Sequence, residues 1–318
     1  MYYLGIDLGG TNMAAGICDE NGKILLKKSI PALPERDADL IMDDMARLCL
    51  DLIAEAGLTV SDIAYAGIAS PGIADPDHGE IVYSCNFPTF VNYPICAVLA
   101  EKLGIEKVLV ANDANAAAKG EAVCGAAKGY SDSVFVTLGT GVGGGIIIGG
   151  KVCSGFNYAG GELGHIVIEK DGVPCTCGKS GCTERYCSAT AIIRMGREAC
   201  EKNPGCLLET RCGGDLDKLN AKIIIDAAKE GDAIALSVFN RYANYLTIAV
   251  NNIISFLDPD MIVLGGGVSH AGEFLLNAVR ERLPKYLMFK TLPYAELRQA
   301  KLGNDAGIIG AALLGIEQ

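Results

Sequence analysis

The chain has 318 residues, half of them apolar, enough for two domains of ordinary size with a core each. Its formal charge of -11 gives no net positive field for phosphate backbones or anionic bilayers, so nucleic-acid and membrane partners are not expected. Thirteen cysteines, an opening MYYLGIDLGG without a basic leader, and no apolar run of about 18 residues point to a reducing, cytoplasmic setting.

Tyr2 to Asp7 reads as a short strand, Gly9-Gly10-Thr11 as a tight turn, and Met13 to Asp19 and Ile24 to Ser29 as two further strands of a meander. Leu40 to Ala56 carries Ile41, Met45, Leu48 and Leu52 at helical spacing and stops at Gly57. A strand at Ile63 to Ile68 ends at Ser70-Pro71-Gly72. Tyr93 to Leu103 is a predicted helix and Lys107 to Ala111 a strand. Asn112-Asp113 then stands where that strand gives way to a helix, Ala114 to Cys124, the edge at which open α/β sheets bind ligands.

A second cycle begins with a strand at Ser133 to Leu138, a glycine turn over 139–145, and a strand at Ile146 to Ile148. Asp7-Leu8-Gly9 and Thr137-Leu138-Gly139 hold equivalent places, so two related halves facing a cleft are expected. Helices follow at Tyr186 to Cys200 and Ala221 to Glu230, with a polar surface loop at Asn203 to Gly214 between them. Asp232 to Leu257 is a long central helix. A buried strand, Asp260 to Leu264, runs into Gly265-Gly266-Gly267; a helix at Glu273 to Leu283, a strand near Ala295 to Lys301 and a small-residue helix at Asp305 to Leu314 complete the chain. Residues 1–112, completed by the C-terminal segment at about 303–318, are expected as a small α/β domain, and 113–302 as a larger one.

Three glycine turns can meet phosphates through backbone N–H groups without basic side chains. Gly9, Gly10 and Thr11, and Gly139, Thr140 and Gly141, would clamp a polyphosphate; Gly265 and Gly266 would leave room for a base and ribose. Asp7, at a strand end, suits the water shell of a Mg2+ bridging those phosphates, or simply caps its turn. Asp113 suits a general base taking the proton of an attacking hydroxyl, or caps the helix that follows.

The densest chemistry lies between Gly160 and Glu184. Cys175, Cys177 and Cys182 form C-x-C-x4-C, and Gly178 and Gly181 let the backbone curl. His165 lies upstream across Ile166-Val167-Ile168, expected as a short strand. Three thiolates and one imidazole make a closed Cys3His set suited to structural Zn2+; the competing reading is idle thiols. The other ten cysteines read as inert.

The segments LGIDLGGTN at Leu4, SPG at Ser70, NDANAAA at Asn112, LGTGVGGG at Leu138, GGELGH at Gly160 and CTCGKSGCTE at Cys175 together resemble the ROK family of sugar kinases and sugar-responsive repressors, particularly its bacterial glucokinases. The resemblance implies a duplicated ribonuclease-H-like α/β fold of the actin and hexokinase type, two domains around a cleft, and a homodimer or higher homo-oligomer. It implies ATP-dependent phosphorylation of a hexose at its 6-hydroxyl, glucose first, with Asp113 as catalytic base. N-acetylmannosamine, N-acetylglucosamine, fructose or allose are the other acceptors, and polyphosphate another donor. Asn112, Glu162, His165 and Glu184 would contact sugar hydroxyls, with Gly72 and Asn86 completing the pocket. Where family glucokinases commonly place a tryptophan after Asn-x-Pro, this chain reads Asn86-Phe87-Pro88-Thr89-Phe90, which is expected to reshape that wall. A sugar sensor that binds without phosphorylating is the non-enzyme alternative; Asp113, and the absence of a DNA-binding segment before Asp7, speak against it.

Overall fold

The computed structural model describes residues 1–316, so the last two residues of the segment expected at 303–318 lie outside the described residues. In chain order the elements are β1 (Tyr2–Leu8), β2 (Asn12–Cys18), β3 (Ile24–Pro31), α1 (Ala38–Glu55), β4 (Ile63–Ser70), β5 (Ile73–Asp75), β6 (Glu80–Tyr83), β7 (Val91–Tyr93), α2 (Ile95–Leu103), β8 (Val108–Asn112), α3 (Asp113–Val123), β9 (Ser133–Leu138), β10 (Val142–Ile148) and β11 (Lys151–Val152). There follow α4 (Glu184–Cys187), α5 (Ala189–Lys202), α6 (Leu207–Arg211), α7 (Ala221–Lys229), α8 (Ala233–Leu257), β12 (Met261–Gly265), α9 (Glu273–Arg282), β13 (Glu296–Gln299) and α10 (Ala306–Ala312).

The two five-stranded sheets have the same plan, β3-β2-β1-β4-β8 and β11-β10-β9-β12-β13, each a meander followed by two strands on its far side. That repetition is the duplicated α/β architecture expected from the resemblance. By contacts the chain divides into two compact units: unit 1 is Met1–Phe135, Gly145–Gly161 and Lys301 onward, and unit 2 is Val136–Gly144 and Glu162–Ala300. This division differs from the boundary expected at 112/113, because α3 groups with unit 1. A β-carbon on Gly310 of α10 would fall on the carbonyl of Ala116 in α3, so only glycine permits that approach. The carboxylate of Glu121, 1 % exposed, accepts hydrogen bonds from the backbone of Ala126 (2.6 Å), Lys301 (2.9 Å) and Leu302 (2.8 Å) and ties the returning chain to α3.

In unit 1, α1 and α2 cover one core, in which Leu4, Ile6, Met13, Ile41, Met45 and Leu52 are buried, and Ile308, Ile309 and Leu313 build a second around Cys18. Phe87 and Phe90 are fully buried and stacked, ring centres 5.3 Å apart, in the first of these cores. They are core residues, while the position that follows Asn86-Phe87-Pro88 is held by Thr89, which is exposed. In unit 2, α8 is the central helix expected, capped by Asp232, with Tyr242 fully buried and its hydroxyl donating to Cys187 O at 2.6 Å.

Several local expectations are corrected. The three-stranded sheet β5-β6-β7 was not expected, and Tyr93 belongs to β7, the helix starting only after Pro94. Gly143, Gly144 and Gly145 lie in β10, so the second glycine turn is only 139–141; a β-carbon at Gly145 would strike Ala114 and Ala118 of α3. The helix expected at 186–200 is broken at Ser188, whose hydroxyl caps α5 through Ala191 N. The expected surface loop at 203–214 holds α6, anchored by fully buried Leu208. Ile166–Ile168 is not a strand: only Val167 forms a bridge, to Cys182.

Candidate active site and metal centre

The nominated residues fall into two groups, one in each unit. In unit 1, β1, β4 and β8 run parallel, with Asp7 beside Ala69 and Ser70 beside Asn112, so one sheet edge gathers Asp7, Gly72 and the β8–α3 junction. Asn112 caps α3: its Oδ1 accepts from Ala114 N (2.9 Å) and Asn115 N (3.3 Å), and its Nδ2 donates to Gly72 O at 3.0 Å. The capping role that competed for Asp113 thus belongs to its neighbour. Asp113 opens the helix and is exposed, with its Oδ1 accepting from Ala114 N at 2.8 Å.

Asp7 sits deeper. Burial, and then the negative charge of Asp113, raise its carboxyl from 3.8 to about 6. The carboxylate lies against α10, where a β-carbon on Gly307 would come within 2.6 Å of Asp7 Cγ. The Gly9–Thr11 turn closes through Gly9 N donating to Asn12 O at 2.9 Å, and Asn86 borders it, Nδ2 lying 2.7 Å from where a Gly10 β-carbon would be. Gly307 escaped the sequence reading. Its only signal was the glycine and alanine content of the last helix.

In unit 2 the 139–141 turn is braced by the start of α5: Ala189 N donates to Gly139 O (2.7 Å) and Thr190 Oγ1 to Thr140 O (2.7 Å). Gly266, at φ +77, lies against the backbone of Leu138, so the Gly265–Gly267 turn neighbours the 139–141 turn. Glu184 reaches the same place, Oε2 accepting from Val142 N at 3.1 Å. Nothing in the sequence signalled that this glutamate, in the cysteine loop, would brace a glycine turn.

His165, Cys175, Cys177 and Cys182 bring one ligand atom each to within 4.8 Å of one another. Cys175 Sγ lies 3.6 Å from His165 Nδ1, and Cys177 Sγ 3.6 Å from Cys182 Sγ. A tetrahedral centre with metal–sulfur bonds of about 2.3 Å has sulfur–sulfur edges of about 3.8 Å, so the four residues fit a metal ion. The loop is folded by its own backbone: Cys175 N donates to Lys179 O (2.8 Å), Gly178 N to Cys175 O (3.1 Å) and Gly181 N to Val173 O (2.9 Å). With Nδ1 turned to the thiols, His165 Nε2 points the other way, 4.0 Å from Glu162 Oε2.

The sequence matches the ROK family over residues 3–318. It is 40 % identical over 312 residues to the glucokinase of Thermotoga maritima, covering 97 % of this chain and 95 % of that one. It is 31 % identical over 327 residues to the N-acetyl-D-glucosamine kinase of Salmonella paratyphi B, covering 99 % of each. A crystal structure of a ROK family glucokinase from Streptomyces griseus in complex with glucose and AMPPNP superposes with a TM-score of 0.81 at 34 % identity, covering 99 % of both chains.

Proposed function

The chain belongs to the ROK family, and from that membership we propose that it is a sugar kinase that transfers the γ-phosphoryl group of ATP to the 6-hydroxyl of glucose. The observation that carries the reading is the carboxylate pair at one sheet edge, Asp113 exposed at a helix start and Asp7 half-buried and near enough to feel its charge.

Asp113 accepts the proton of the 6-hydroxyl as its oxygen bonds to the γ-phosphorus and the bond from that phosphorus to the ADP oxygen breaks. The Gly9–Thr11 and Gly139–Gly141 turns offer N–H groups and threonine hydroxyls to phosphate oxygens, and Gly265 and Gly266 leave space for the nucleoside. A Mg2+ held through its waters by Asp7 would neutralise charge on the phosphates. Asn112, with one N–H given to Gly72, has a second to offer a sugar hydroxyl; Gly72 and Asn86 border the same edge.

Zn2+ is the metal that three thiolates and an imidazole suit, with all four positions filled by protein, so its part is structural. A metal held through Nδ1 of His165 would leave Nε2 to donate to a sugar hydroxyl beside the Glu162 carboxylate. Glu184, one oxygen engaged by Val142, has the other for the same ligand. A homo-oligomer and a cytoplasmic setting belong to this reading; among the described residues no helix is long and apolar enough to cross a membrane.

Asp113→Asn tests the base. Turnover is expected to fall by about 10²–10⁴-fold while glucose still binds. Unchanged turnover would remove Asp113 from the chemistry.

A further inference from the structure

Unit 2 gathers at one place three of the ten cysteines read as inert, Cys200, Cys206 and Cys212. Cys200 stands in the last turn of α5, and two successive turns bring the chain back to it. Asn203 N donates to Cys200 O at 3.0 Å and Cys206 N to Asn203 O at 3.2 Å, with Gly205 at φ +76 in the second turn, a backbone conformation that glycine adopts without cost. Gly205 N donates to Glu209 Oε2 at 2.7 Å, so α6 holds the return as well. The Cys206 thiol therefore lies against Cys200, sulfur to sulfur at 3.5 Å. Cys212 is engaged elsewhere, its thiol donating to Leu208 O at 3.1 Å.

A disulfide needs sulfurs about 2.05 Å apart, so closing the pair takes about 1.5 Å of movement shared between two side chains. The two sulfurs differ in access. Cys200 is 2 % exposed and Cys206 8 %, and the segment that joins them, residues 201–205, is exposed throughout. Burial, and then the Cys206 thiol beside it, raise the Cys200 thiol, so Cys200 keeps its proton and Cys206 meets a reagent first.

We propose that Cys200 and Cys206 are a dithiol that hydrogen peroxide converts to a disulfide, fastening α6 to the end of α5. The Cys206 sulfur attacks one peroxide oxygen, the O–O bond breaks and hydroxide leaves, giving a sulfenic acid. The Cys200 sulfur then attacks the Cys206 sulfur, the S–O bond breaks and water leaves. Two electrons pass from the sulfurs to the peroxide, and the two thiol protons end in the two waters formed. A small dithiol reverses the reaction by exchange. The inference goes beyond the kinase reading and depends neither on it nor on the metal centre.

Trypsin separates the three cysteines, because Arg197, Lys202, Arg211 and Lys218 place them in peptides 198–202, 203–211 and 212–218. The intact chain is treated with hydrogen peroxide, the remaining thiols are alkylated, and the digest is read by mass spectrometry. A 198–202/203–211 pair is expected, removed by dithiothreitol and still formed in Cys212→Ser. In the oxidised chain the amides of Thr210 and Cys212, which donate to Cys206 O and Leu208 O, should exchange with solvent about tenfold or more slowly, a change absent in Cys206→Ser. The wild-type digest keeps the test alive should either variant fail to fold. The proposal is overturned by absence of the pair at every peroxide excess that leaves the circular dichroism intact, or by a link from 203–211 to 212–218 in its place. Cys206 oxidised past the sulfenic acid while Cys200 stays a thiol, or amide exchange unchanged by the disulfide, would overturn it equally.

Discussion

Asp7→Asn separates stability from activity at the carboxylate pair. Burial and the charge of Asp113 raise the Asp7 carboxyl from 3.8 to about 6. At about 1.36 kcal/mol per pKa unit, the ionised form costs the folded, metal-free protein up to about 3 kcal/mol. The sign follows from proton counting. Between about pH 4 and pH 6 the folded state holds this proton and the unfolded state has released it, so stability falls as pH rises through that window. Below it Asp7 is neutral in both states and the cost vanishes. Asp7→Asn removes the cost, so in chelator the variant should unfold several degrees higher than wild type at pH 7.5 and at about the same temperature at pH 4. Scanning calorimetry at the two pH values makes the comparison, and phosphoryl transfer should be lost in the same variant. A variant no more stable than wild type at pH 7.5, or one whose gain persists at pH 4, would refute the argument that a desolvated charge is kept at Asp7 for function.

The cysteine loop supports two further expectations. Cys177→Ala, or treatment with a chelator, should abolish glucose affinity in calorimetric titration before circular dichroism reports loss of the fold, because a metal held by this loop would organise a segment outside the main cores; wild-type affinity after either change would make the loop mere structure. Gly181→Ala puts a β-carbon on the carbonyl of Glu169 at a residue with φ +80, so zinc measured per chain should fall below one; an unchanged zinc content would show that the loop tolerates the strain.

Much of this was legible in the sequence because the signals were local. The meander β1 to β3 follows from short apolar runs punctuated by Gly9-Gly10 and Asn21-Gly22, and α8 from a broad apolar face behind a capping aspartate. The grouping of His165, Cys175, Cys177 and Cys182 follows from their spacing. What was not legible depends on partners distant in the chain. Gly145 reads as a turn residue until α3 is seen packed against it, and Glu184, expected only as a sugar contact, also accepts from Val142 N, 42 residues earlier in the chain. The strands of β5-β6-β7 have three or four residues each, too few to show a period among Pro76, Asp77 and Gly79. The break at Ser188 is hidden because apolar spacing continues through it, and only the hydroxyl on Ala191 N ends one helix and begins the next. Asn112 and Asp113 are both good caps on sequence grounds. Their division of labour is set by Gly72, whose carbonyl takes the Asn112 amide and leaves Asp113 exposed.

The most direct test of the central reading is a coupled turnover assay with Mg-ATP across glucose, mannose, fructose, allose, N-acetylglucosamine and N-acetylmannosamine, with the position of the phosphate on the product read by NMR. Glucose should give the highest kcat/KM and glucose 6-phosphate the only product. Turnover on no hexose, or turnover confined to an N-acetylated sugar, would contradict it.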